Sequence, residues 1–139
     1  MEFLHPAGWP RAKGYSNGIA AAGRTVCVSG MIGWDAQGVF QTDDFVGQVR
    51  QALLNIVAVL AEAGAQPGHI VRMTWYVVDK REYLGAAREL GAVYRELIGA
   101  HYPTMSAVEV SALMEDRARV EIEVTAIVPD RVGKDAAQA

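Results

Sequence analysis

Pro103-Thr104-Met105-Ser106-Ala107-Val108-Glu109-Val110, continued after a polar link by Arg119-Val120-Glu121-Ile122-Glu123-Val124-Thr125-Ala126-Ile127-Val128, is the stretch that decides the fold. From Arg119 to Val124 charged and apolar residues alternate, the period-two pattern of a strand with one wet face and one core face. Ala107 to Val110 repeats the pattern more weakly. Two such runs joined across Met114-Glu115-Asp116-Arg117-Ala118 predict a hairpin, whose turn type stays open because the link holds no Asn-Gly or Asp-Gly. Glu109, Glu121 and Glu123 are thereby assigned to sheet and not to loop.

Working outward, residues 1–14 contain Pro6, Gly8, Pro10 and Gly14 and predict an irregular arm. Trp9 in that arm either packs on the sheet or lines a ligand cleft or subunit contact. Tyr15 to Ala21 and Thr25 to Ile32 predict a hairpin turning at Ala22-Gly23-Arg24. Cys27 lies in the apolar run Val26-Cys27-Val28 and is expected to be a small buried hydrophobe, and Gly30 marks a bulge or a close approach to the backbone. Asp43 and Asp44 can cap a helix from Phe45 to Ala63, whose inner face carries Phe45, Val49, Ala52, Leu53, Ile56, Val59 and Leu60, with Gly64 as its stop. Pro67-Gly68-His69 reads as a turn and Ile70 to Val78 as a strand. Asp79-Lys80-Arg81 leads into a second helix, Glu82 to Leu97, weakened by Gly85 and Gly91.

The order β-β-α-β-α-β-β predicts an α+β domain spanning residues 1–129, one sheet with two helices on one face, followed by a flexible tail over residues 130–139. The uncovered face, expected to be partly apolar, calls for burial by self-association. At 139 residues there is no room for a second domain, and a net charge of -3 offers no broad basic surface for a phosphate backbone, so nucleic acid is not the expected partner. No signal-peptide pattern and no run near 18 apolar residues stands in the sequence, which places the protein in the cytoplasm, away from membranes. One cysteine and three scattered histidines supply no metal site within a chain, and no phosphate-binding glycine motif or nucleophile elbow is present. Neither metal nor cofactor is expected.

Pro103-x-x-Ser106-Ala107-Val108-Glu109-Val110 with Val120-Glu121-Ile122-Glu123 resembles the C-terminal signature of the RidA/YjgF/UK114 family of enamine and imine deaminases. Gly14-Tyr15-Ser16-Asn17-Gly18, Val26-Cys27-Val28-Ser29-Gly30-Met31-Ile32 and the stretch from Gln48 to Gly64 line up with it in order, so the resemblance runs from about Tyr15 to Val128. It implies the chorismate-mutase-like (YjgF-like) fold, a homotrimer with a barrel-like core, and ligand clefts between subunits. By position, the resemblance assigns catalysis to Glu121 and Tyr15, and contact with a small-molecule substrate to Ser29, Gly30, Met31, Trp34, Met105 and Ser106.

The chain departs from that pattern at its most informative position. The family grips the substrate carboxylate with an arginine fork, and here that position is Met105, which has no charge and no donor. Losing such a charge-assisted pair costs roughly 1.5 to 3 kcal/mol, a ten- to hundredfold loss in binding. Gly91 replaces a common asparagine, Ala107 a common cysteine, and Met31 a common glutamine. Met31, Trp34 and Met105 make the expected cleft more apolar than usual, and His101, Lys13 and Arg119 are the candidates to restore the cation. Three activities follow as expectations: a RidA-like hydrolytic deaminase of altered specificity, slow on 2-aminoacrylate; a deaminase of a larger amino-dienoate such as 2-aminomuconate; or a non-catalytic ligand-binding or chaperone-like homologue. Ribonuclease activity is disfavoured by the charge and by the lack of a basic aromatic groove.

Overall fold

The computed structural model describes residues 1–130 and forms one four-stranded sheet, one small two-stranded sheet and three α-helices. The tail expected from residue 130 onward lies, apart from Asp130, outside the described residues. In chain order the elements are β1 (Glu2–Leu4), β2 (Gly18–Ala20), β3 (Arg24–Ile32), α1 (Phe45–Glu62), a 3-10 turn (Pro67–His69), β4 (Ile70–Val77), α2 (Lys80–Gly85), α3 (Ala87–Leu97), β5 (Thr104–Glu109) and β6 (Val120–Val128).

β6 lies inside the main sheet, whose strand order is β3-β6-β4-β5. It runs antiparallel to both β3 and β4, with Val28 opposite Val124 and Trp75 opposite Ile122. The expected hairpin between β5 and β6 does not form: β5 instead pairs in parallel with β4, Met105 beside Met73 and Ala107 beside Trp75, after the crossover through α2 and α3. Alternation reports which face a side chain takes, and it is silent on which strand becomes the neighbour.

The N-terminal hairpin is corrected too. β2 pairs antiparallel with β1, Leu4 opposite Gly18, so the first residues of the arm form a strand. A three-residue strand is too short to show a period. Gly23, at φ 145°, carries the chain from the small sheet to the large one, with the carbonyl of Val128 so near that a β-carbon would lie 2.1 Å from its oxygen. The second predicted helix is two, α2 and α3, with Ala86 between them at φ -110° and ψ 20°.

α1 is capped by the Asp44 carboxylate, which accepts from Gly47 N at 2.9 Å, and Gly64 at φ 68° follows its end. Its buried Val49, Leu53, Ile56 and Leu60 pack on β3 and β6 and against α3, with Met73, Val120 and Ile122 opposite. By length and composition alone α1 would pass for a membrane span, as the core helix of a soluble protein also does, and its apolar side is used by the core. The other face of the sheet is mixed: Arg72, Thr74, Glu123 and Thr125 line its middle together with Ser29 and Cys27, and Tyr76, Val108 and Ile127 lie on the same face. Cys27 is exposed there, since its place in β3 puts it opposite Thr125 and away from the helices.

Candidate functional site

A cavity of about 720 Å³ lies on the helix side of the β5 edge. Met105 and Ala107 supply its strand wall, Gly91 and Arg95 its helix wall, and Arg11, Lys13 and Tyr15 the loop that rims it. The loop is held to β5 by backbone and side chain. Ser16 N donates to Pro103 O at 3.0 Å, its hydroxyl donates to Tyr102 O at 2.5 Å, and Ser16 bridges Thr104 in parallel. Below it, Tyr94 OH donates to His101 O at 2.6 Å while its ring stacks on Tyr102 at 5.7 Å. Burial pushes the Tyr94 phenol well above its ordinary range, so this hydroxyl stays protonated. Trp75 also lines the cavity and meets Tyr83 edge-on at 5.6 Å; its indole N–H is buried with no partner among the described residues.

A second cluster sits at the opposite edge of the sheet. The register of β3 against β6 shifts between Val28 and Met31, so a bulge falls at Ser29 and Gly30. Gly30 leaves open the volume that the Glu121 carboxylate fills: a β-carbon at residue 30 would meet Glu121 Oε2, Cδ and Cγ all within 3 Å, the nearest at 2.2 Å. The three strand carboxylates thus have different fates. Glu109 accepts from Lys80 N at 2.9 Å and Glu123 from Tyr76 OH at 2.6 Å, a bond that raises the Tyr76 phenol above its ordinary range. Glu121 makes no side-chain hydrogen bond among the described residues.

The predicted site residues therefore fall into two groups. Tyr15, Met105 and Ser106 stand at the β5 edge, where all three also line a smaller groove with Arg72. Ser29, Gly30 and Glu121 stand near the β3 edge, with β6 and β4 between β3 and β5; at the usual strand spacing the edges are roughly 14 Å apart. Met31, opposite Ile122, is partly buried against the core and lines neither cavity. Trp34 follows β3, its carbonyl accepting from Asn55 Nδ2 at 2.8 Å and its ring 6.0 Å from Phe40, and it lines neither cavity. Trp9 is exposed.

Among the suggested replacement cations, Arg119 is bound to Glu82, Nε to Oε1 at 2.9 Å, and the His101 ring is bound to Ile70 O at 2.6 Å. Only Lys13 of the three lines the large cavity. Sequence reasoning missed Arg11, Arg95 and the aromatic wall. The signal available for Arg95 was its spacing, one helical turn after Gly91. Among the described residues no His, Cys, Asp and Glu group suits a metal ion.

The family model described as Endoribonuclease L-PSP matches residues 9–128. The 2-iminobutanoate/2-iminopropanoate deaminase of Salmonella typhimurium is 33% identical over 105 residues, covering 76% of this chain and 80% of that protein. A RutC family protein of Pyrococcus horikoshii is 35% identical over 114 residues, covering 81% and 84%. Among solved structures, a Rid family protein of unknown function from Yersinia pestis superposes with a TM-score of 0.79 at 28% identity, covering 91% of this chain and 98% of its own. The YjgF gene product of Escherichia coli gives 0.67 at 29% identity, with the same coverage.

Proposed function

The chain belongs to the RidA/YjgF family, and on that premise we propose that it is a hydrolytic deaminase of enamines and imines that bear a carboxylate. The observation that carries the proposal is Glu121, which alone among the three strand carboxylates has no protein partner and lies over a backbone stripped of its side chain at Gly30. A carboxylate so placed can hold a water and take its proton. An enamine is first protonated at carbon to give the iminium. Water adds to the iminium carbon as Glu121 accepts its proton; the carbinolamine then breaks its C–N bond, releasing ammonia and leaving the carbonyl. One water is consumed, and no oxidant or reductant enters.

The site is assembled from two copies of the chain in a homotrimer, Tyr15 and Met105 from one and Ser29, Gly30 and Glu121 from the next. Within a single sheet Ser29 and Gly30 on β3 lie three strands from Met105, and Glu121 on β6 lies two strands from it, roughly 14 and 10 Å, which supports this arrangement. Tyr15 orients the substrate from the rim of the cavity. The volume of about 720 Å³ and its tyrosine-rich wall favour substrates bulkier than 2-aminoacrylate. A panel of imines generated in situ, followed by carbonyl formation with wild type and Glu121→Gln, tests the reading. Turnover by the wild type that falls sharply in the variant is the expected result. No turnover by either supports the ligand-binding alternative and refutes the hydrolase.

A further inference from the structure

We propose that Arg95 supplies the carboxylate-binding cation that Met105 does not, and that Gly91 is what lets it reach the cavity. This rests on the large cavity being the substrate site. Arg95 and Gly91 lie one turn apart on α3, and both line that cavity together with Met105. A β-carbon at Gly91 would stand 3.2 Å from Arg95 Nη1, so the guanidinium lies over residue 91 itself. Any longer side chain there would occupy its path.

Arg95 is also uncommitted. Arg50, Arg81, Arg117 and Arg119 each hold a carboxylate, of Glu96, Asp79, Asp43 and Glu82, whereas Arg95 makes no ion pair or side-chain hydrogen bond among the described residues. A guanidinium without a partner beside an apolar wall is suited to a planar anion, which it grips through two parallel N–H donors. On the strand side, the Trp75 indole N–H is buried with no acceptor among the described residues and is not exposed to the cavity. The handle thus comes from the helix side where Met105 leaves the strand side without one. Tyr83, Tyr102 and Met105 then face the rest of the ligand, so the class that fits is a 2-imino or 2-enamino carboxylate with a bulky apolar or aromatic side chain.

Binding of the unreactive product-like phenylpyruvate and of its uncharged carboxamide, measured by calorimetry, reads the cation without turnover. Wild type is expected to prefer the acid, and Arg95→Met to lose roughly ten- to a hundredfold of that preference while binding the amide as before. Arg95→Lys, which keeps the charge without the fork, retains part of it. Gly91→Leu, with Arg95 present, lowers the preference by displacing the guanidinium. An acid-to-amide ratio unchanged in Arg95→Met, or lost in Arg11→Met or Lys13→Met with Arg95 intact, overturns the assignment. A ratio unchanged in Gly91→Leu overturns the part given to Gly91. Imine turnover with an unchanged ratio in Arg95→Met sinks this inference and leaves the deaminase standing; acid preference that depends on Arg95 without imine turnover does the reverse.

Discussion

The carboxylate of Glu121 occupies the space that a side chain on Gly30 would need, with Oε2 2.2 Å and Cδ 2.6 Å from where the β-carbon would be. Gly30 does not have a positive φ, so its backbone is open to alanine and only the contact forbids it. Gly30→Ala should therefore fold normally and displace Glu121. A displacement of about 1 Å costs on the order of a hundredfold in rate. Steady-state kinetics of Gly30→Ala beside its melting curve checks this: a normal rate with normal stability would show that the seat of Glu121 does not matter to catalysis.

Assembly is tested by mass and by complementation. Light scattering should give the mass of three 15.0 kDa chains, and a monomer at micromolar concentration would refute the trimer. Tyr15→Phe and Glu121→Gln, each weak alone, should recover activity when co-expressed, because a mixed trimer contains one cleft with both native halves. Failure to recover in a verified mixed trimer would place the two residues in the same subunit's site.

Gln48 is fully buried and ties three chain segments together. Its amide donates to Thr42 O at 3.1 Å and Arg117 O at 3.0 Å, and its carbonyl accepts from Arg119 N at 2.8 Å. Gln48→Leu keeps the volume and orphans those groups, at a cost of about 1–3 kcal/mol for each one left buried and unpaired. Urea denaturation at fixed protein concentration should show the loss, and a change below about 0.5 kcal/mol would mean that water replaces the amide.

The loop after β3 is organised by Asp35. Its carboxylate accepts from Gln41 Nε2, Val39 N and Gln37 N, and these bonds, the Gln41 bond first, hold its pKa below the ordinary carboxylate value. A lowered folded pKa means that the stabilising contribution is present above the unfolded value and fades as pH falls through the folded one. Amide shifts of Gln37 and Val39 should move together in that acidic window and stay flat in Asp35→Asn. Movement beginning near neutrality would contradict the assignment.

Much of this architecture was legible because α1, β4 and β6 carry strong periodicity: Leu53, Ile56 and Leu60 fall on the core face, as do Ile122 and Val124. Strand neighbours were not legible. Val108 and Glu109 alternate equally well beside β4 or in a hairpin with β6, and loop closure through α2 and α3 decides between them. The contact of Glu121 with Gly30 was approachable from the bulge signal of a glycine in a strand, whereas nothing in the sequence showed that the Arg95 guanidinium lies over Gly91. Cys27 was misread because Val26-Cys27-Val28 looks buried throughout, although a strand turns its middle residue to the other face.

The position of β6 sets an order of events during synthesis. Of the six strands described it is the last to leave the ribosome, yet it alone joins β3 to β4, so the residues before Val120 can form helices and a β4–β5 pair but no continuous sheet. Completion of the sheet is thereby deferred until residues 120–128 have emerged, and until then the apolar side of α1 has an incomplete surface to pack against. A ribosome stalled before residue 120 would display a sticky intermediate, and chaperone occupancy should fall abruptly once residues 120–128 emerge.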